Sequence, residues 1–314
     1  MDTTSCCVCG KPSTRTLGRR PFCDEHYERA IRENRGFWRA GLGSIALLIV
    51  FTAVVAAIGS VVSPTLSDSA LLVVGLILAL VPSVLWLWFF YRQDRLEPEP
   101  RGYVIGVFLL AMLVTDAVGR RLLLDVFRVQ EWMVFNPTSA LVGSILVIGF
   151  TLEAIKYAVV RFTVYTTLEF DERMDGIVYG TAAGLGVATM LNLRFVLESG
   201  GGHLTPGVIH IVVETLAQAS FGGIVGYFLG EAKFVDDPFW WLPAGVTLAA
   251  VLNGLFLWLI GEINATGIEV SPWRGLIFAI VVAALTFAAL LWLIRRALAQ
   301  TISSQPVAGV SQDN

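Results

Sequence analysis

The chain has 314 residues, of which 55% are hydrophobic and only 15% charged, and its mean hydropathy is +0.71. A soluble domain of this length carries about a quarter charged residues, which excludes that class. The net charge of −3 gives no electrostatic footprint for nucleic acid.

Residues 1–38 read as a separate cytosolic module. Cys6 and Cys9, then thirteen residues, then Cys23 and His26 give four soft donors at the spacing of a structural zinc knuckle. A disulfide pair is the competing reading, and Cys7 is the spare thiol. The arginines Arg15, Arg19, Arg20, Arg29, Arg32, Arg35 and Arg39 place this module inside the cell, where thiols stay reduced. With so polar a start, no cleavable signal peptide is expected.

Residues 39–299 read as an all-α polytopic membrane domain. Eight apolar stretches approach the roughly 20 residues that a spanning helix needs. They run near 39–63, 69–91, 103–121, 138–165, 174–198, 206–230, 239–261 and 274–295. Barrel strands would be shorter and would alternate. With the N-terminus inside, Arg92, Arg95, Arg101, Arg161, Arg173, Lys233, Arg295 and Arg296 all fall on the cytosolic side. Arg120, Arg121 and Arg128 break the pattern on the outer side. Eight spans return the C-terminus to the cytosol, so a multi-pass protein of the cell membrane with both termini cytoplasmic is expected. Residues 300–314 read as a disordered tail.

Several local signals fall along the spans. Pro82 should kink the second, which ends in the interfacial anchor Trp86, Trp88, Phe89, Phe90 and Tyr91. Pro98 and Pro100 stop that helix. Gly180, Gly184 and Gly186 in span five, and Gly222, Gly226 and Gly230 in span six, give small faces that let backbones approach in lipid. Asp116 reads as a structural partner of Arg120 one turn later.

The stretch around which the domain is organised is Gly149–Phe162, GFTLEAIKYAVVRF. Glu153 and Lys156 are three residues apart, hence on one helix face. A charge at membrane depth costs at least a few kcal/mol, so a functional role is the default reading. Three further spans carry polar residues at similar depth: Asn192 in span five, His210, Glu214 and Gln218 in span six, and Asn253 in span seven. Two readings stand at this point. These groups line a hydrolytic cavity, or they hydrogen-bond one another as glue between helices.

The segments DRLEPEP after span two, LEAIKY, DERMDGIVYGTAAGLGVATMLN, AQASFGGIVGYFLG and AAVLNGLFLWL lie in order over residues 75–262. In these the chain resembles PrsW, a family of polytopic intramembrane proteases distantly similar to the CAAX-processing membrane proteases. The resemblance implies motif positions at Glu153, Lys156, Asn192, Gln218 and Asn253. It also implies departures, because Leu152 and Leu191 stand where the family has glutamates, and Gln218 and Asn253 where it has histidines. An amide neither takes a proton at neutral pH nor competes with imidazole for zinc. Two functions follow as expectations. The first is a PrsW-like protein with impaired or lost proteolysis that binds transmembrane segments of partner proteins. The second is an active intramembrane protease with a rearranged site of Glu153, His210 and Glu214. A structural zinc is expected in the N-terminal module, and a metal in the membrane site is doubtful on this donor set. A transporter is disfavoured by the lack of an inverted repeat.

Overall fold

The computed structural model describes the whole chain except residues 1–4, 7–8, 18–19, 34–36, 63–66, 94–99, 171–172, 201–203, 235–237, 266–270 and 304–314. Expectations for Cys7, Pro98 and the 304–314 part of the tail therefore lie outside the described residues.

The N-terminal module is a short hairpin followed by a helix. Strands β1 (Arg15–Leu17) and β2 (Arg20–Phe22) pair antiparallel, and α1 runs Asp24–Glu33. Asp24 and Glu25 in its first turn suit the positive end of the helix dipole.

The rest is helical: α2 Phe37–Val62, α3 Asp68–Gln93, α4 Arg101–Val114, α5 Val129–Trp132, α6 Pro137–Val142 and α7 Phe150–Thr163. Then follow α8 Arg173–Glu198, α9 Leu204–Phe234, α10 Trp241–Ala265 and α11 Pro272–Ser303. Among the described residues six helical segments are long and apolar enough to cross a membrane, and Ile45–Gly59 and Trp273–Ala289 are shorter apolar helices. Those two lie within α2 and α11, so the eight expected stretches all appear as helix. Two of the six are composite. π-Helical stretches at Thr115–Gly119 and Leu122–Val126 continue α4, and another at Gly143–Gly149 joins α6 to α7. Asn136 caps α6, accepting from the Ser139 N–H at 2.8 Å.

α8 and α9 form the centre of the bundle. Of their spanning windows 78% and 89% is buried, against 39% for Pro137–Thr163 and 33% for α10. Glycine makes that centre possible. A Cβ on Gly226 would overlap the Gly176 carbonyl, one on Gly180 the Gly222 carbonyl, and one on Gly184 the Gln218 carbonyl. The two backbones are therefore in direct contact, as small faces allow in lipid. A second close approach joins the fourth span to α10, where Gly149 abuts the Ala250 carbonyl and Gly254 abuts Ser144 and Ile145.

Polar ties fix the remaining pairs. Thr189 Oγ1 donates to Ser83 Oγ at 2.8 Å, linking α8 to α3. Asp116 pairs with Arg194 of α8 at 2.5 Å, not with Arg120. The Arg194 guanidinium, reaching across from α8, takes the Asp116 carboxylate instead. Where α7 ends, Lys233 at the end of α9 holds the following loop. Its Nζ donates to the carbonyls of Tyr165 (2.5 Å), Phe170 (2.5 Å) and Thr167 (3.4 Å), and lies 4.7 Å from the Phe170 ring. Burial pushes the Tyr165 phenol above its ordinary value, with Arg161 working against it. Lys233→Met should cost about 1.5–3 kcal/mol for each charged hydrogen bond not replaced by water. The expected outcome is faster amide exchange confined to 164–170; unchanged exchange there would mean that the lysine is not the clasp.

Candidate active site

The two glycine contacts determine which side chains meet. Gly149 lies one helical turn before Glu153, and Gly254 directly follows Asn253, so the approach of the fourth span to α10 brings those two residues face to face. The Gly184 contact brings α9 in at Gln218 itself. Glu153, Lys156, Gln218 and Asn253 are all 0% exposed, and Glu214 is 7% exposed.

Their hydrogen bonds form one network. Lys156 Nζ donates to Glu153 Oε1 at 2.6 Å, and Asn253 Nδ2 donates to the same oxygen at 2.6 Å. Asn253 and Gln218 pair amide to amide. Asn253 Nδ2 donates to Gln218 Oε1 at 3.2 Å, and Gln218 Nε2 donates to Asn253 Oδ1 at 3.3 Å. Gln218 Nε2 also donates to Glu214 Oε1 at 2.9 Å. Glu214 adds a weaker electrostatic interaction with Lys156. The second oxygen of Glu153, Oε2, is buried and makes no hydrogen bond. A buried polar atom without a partner is uncommon and calls for an explanation.

The other residues singled out in the sequence lie apart. Asn192 Nδ2 donates to the Ile211 carbonyl (3.2 Å) and Thr215 Oγ1 (3.3 Å), tying α8 to α9, while its Oδ1 has no partner. His210 is exposed and stacks on Phe195 with ring centroids 4.1 Å apart. It also interacts electrostatically with Glu214, one turn along the same helix. Leu152 is buried and Leu191 half-buried, both in or against the apolar cluster around Val159 and Val187. Residue spacing could not show the partnership of Gln218 with Asn253, which are 35 positions apart on different helices.

The model of the PrsW family intramembrane metalloproteases matches residues 99–290. The chain belongs to the PrsW family. Protease PrsW of Geobacillus kaustophilus (strain HTA426) is 31% identical over 180 residues, covering 57% of this chain and 76% of that protein. Protease PrsW of Bacillus subtilis (strain 168) is 28% identical over 187 residues, covering 59% and 82%. That of Clostridioides difficile (strain 630) is 26% identical over 185 residues. No solved structure matches. The chain is thus a multi-pass membrane protein of a protease family. These PrsW relatives are named as proteases, and the expected loss of proteolysis draws no support from them.

The family description implies a metal, and the bundle residues can be tested against one. A catalytic zinc takes three protein donors and leaves a fourth position for water. Here the Glu153 carboxylate is already engaged by an ammonium, its neighbours are two carboxamides bonded to each other, and no imidazole or thiolate is among them. Among the described residues, the His, Cys, Asp and Glu donors close enough to share an ion are Cys6, Cys9, Cys23 and His26. The residues around Glu153 do not fit a metal.

Proposed function

We propose that this protein is an intramembrane endopeptidase that cleaves membrane-anchored proteins of the cell membrane, with Glu153 at its centre and both termini cytoplasmic. The observation that carries this reading is the free Oε2 of Glu153. It is a carboxylate oxygen held at 0% residue exposure beside a cation and left without a partner.

The chemistry follows from the positions. Peptide hydrolysis needs a base for the attacking water and a donor for the departing amine. Glu153 Oε2 takes one proton of the water as its oxygen attacks the scissile carbonyl carbon. The Lys156 ammonium, on the other side of the same carboxylate, balances the negative charge that moves onto the carbonyl oxygen. The C–N bond then breaks, and the proton held by Glu153 passes to the leaving nitrogen. Asn253 and Gln218 aim the base: Asn253 holds Oε1, Gln218 holds Asn253, and Glu214 holds Gln218. His210, exposed beside Phe195, is given no step in this reading. Binding of transmembrane segments without cleavage is the second reading. It is favoured by the two carboxamides, Gln218 and Asn253, at positions where the family resemblance implies imidazoles.

The test is cleavage of membrane-anchored reporters by the reconstituted full chain. The parent is expected to cut them and Glu153→Gln, which is similar in shape, to lose the activity to background. An inert parent that still retains the reporters would favour the second reading. Cutting that survives Glu153→Gln would remove Glu153 from the mechanism.

A further inference from the structure

We infer that Cys6, Cys9, Cys23 and His26 form a structural zinc site that folds the N-terminal module, independent of the Glu153 site. It lies outside residues 99–290, which the family model matches, so the metal implied by the family description does not account for it.

The geometry distinguishes a metal from a disulfide. The four donor atoms all lie within 4.8 Å of one another. Cys9 Sγ and Cys23 Sγ are 3.8 Å apart, Cys6 Sγ and His26 Nδ1 3.8 Å, and Cys23 Sγ and His26 Nδ1 3.1 Å. A disulfide brings its sulfurs to about 2.0 Å. A tetrahedral zinc with Zn–S bonds of about 2.3 Å separates them by about 3.8 Å, which is the Cys9–Cys23 distance. Thiolates and one imidazole suit zinc and not the hard cations calcium or magnesium.

Local structure delivers the donors in two pairs. Around Cys6 and Cys9, Gly10 N–H donates to the Cys6 carbonyl (2.9 Å) and Cys6 N–H to the Lys11 carbonyl (2.7 Å). Gly10 has φ +72°, a conformation that favours glycine. Cys23 and His26 sit at the start of α1, after the hairpin has reversed the chain. The module's buried apolar cluster is Cys6, Phe22, Cys23 and Tyr27, so half of its members are ligands. So small a unit cannot be held by apolar burial alone. Its metal-binding free energy is then its folding free energy. Cys9 is the exposed ligand, which gives exchange and chelators a way in.

The experiment uses the full chain purified in detergent under a thiol reductant, with zinc counted by inductively coupled plasma mass spectrometry. About one zinc per chain is expected. It should be retained in Glu153→Gln and lost in Cys23→Ser and in His26→Ala, with the membrane domain still monodisperse. Cobalt exchanged into the parent should give the absorption of a tetrahedral thiolate site and make the 1–38 region resistant to proteolysis. Absence of zinc from the reduced parent, zinc unchanged in Cys23→Ser, or zinc lost in Glu153→Gln would each overturn the assignment. None of these readouts depends on peptidase activity, so the two proposals can fail separately.

Discussion

Glu153→Leu should destabilise the protein by about 3–5 kcal/mol, and adding Lys156→Leu should recover most of that loss. The ion pair is 2.6 Å long between side chains that are both 0% exposed. Two opposed terms decide the outcome. Desolvating two charges costs several kcal/mol for each ion, and their attraction in a low-dielectric interior offsets much of that cost. Removing the carboxylate leaves the desolvated ammonium of Lys156 uncompensated and strips Asn253 Nδ2 of an acceptor. Removing both charges leaves only the amide to be satisfied, and the Gln218 pair still serves it. The measurement is reversible unfolding in mixed micelles of the parent, both single variants and the double variant, read as a thermodynamic cycle. A Glu153→Leu protein as stable as the parent would show that the pair is not held as an ion pair.

A leucine at Gly226 should be at least as disruptive. Ordinary overpacking costs about 1–3 kcal/mol because neighbouring side chains can shift. Here the obstruction is the Gly176 carbonyl and the Ile177 backbone, which belong to a helix that cannot move without losing its other glycine contacts. The expected loss exceeds about 3 kcal/mol, and a shortage of folded protein in the membrane is the expected phenotype. Gly106 is the control. Nothing lies within 4 Å of a Cβ built there, so Gly106→Leu should leave stability nearly unchanged. Similar losses in the two variants would mean that the result reflects glycine replacement in general and not the seam.

What the sequence disclosed depended on range. Helical class and the Glu153–Lys156 pair were legible because hydropathy and an i, i+3 spacing are local properties. The glycine faces of α8 and α9 were legible as small faces, but not which carbonyl each glycine meets. The amide pair Gln218–Asn253 was not legible, because it depends on how α9 and α10 are brought together at Gln218 and Gly254. The place of His210, exposed beside Phe195, was not legible from its i, i+4, i+8 spacing. Asp116 misled because its partner, Arg194, is 78 positions away on another helix.

If Glu153 is the base, as proposed, the unequal burial of the helices bears on how a scissile peptide would reach it. The α8–α9 pair is locked backbone to backbone and covered on nearly all sides, so it is the fixed element of the bundle. α10 buries only 33% of its spanning window, yet it supplies Asn253, which donates to Glu153 Oε1. A guest helix arriving sideways from the lipid would have to displace this outer helix or its neighbour in the fourth span. Admission of the guest and disarming of the base would then be one motion, with cleavage competence returning as Asn253 swings back onto Glu153.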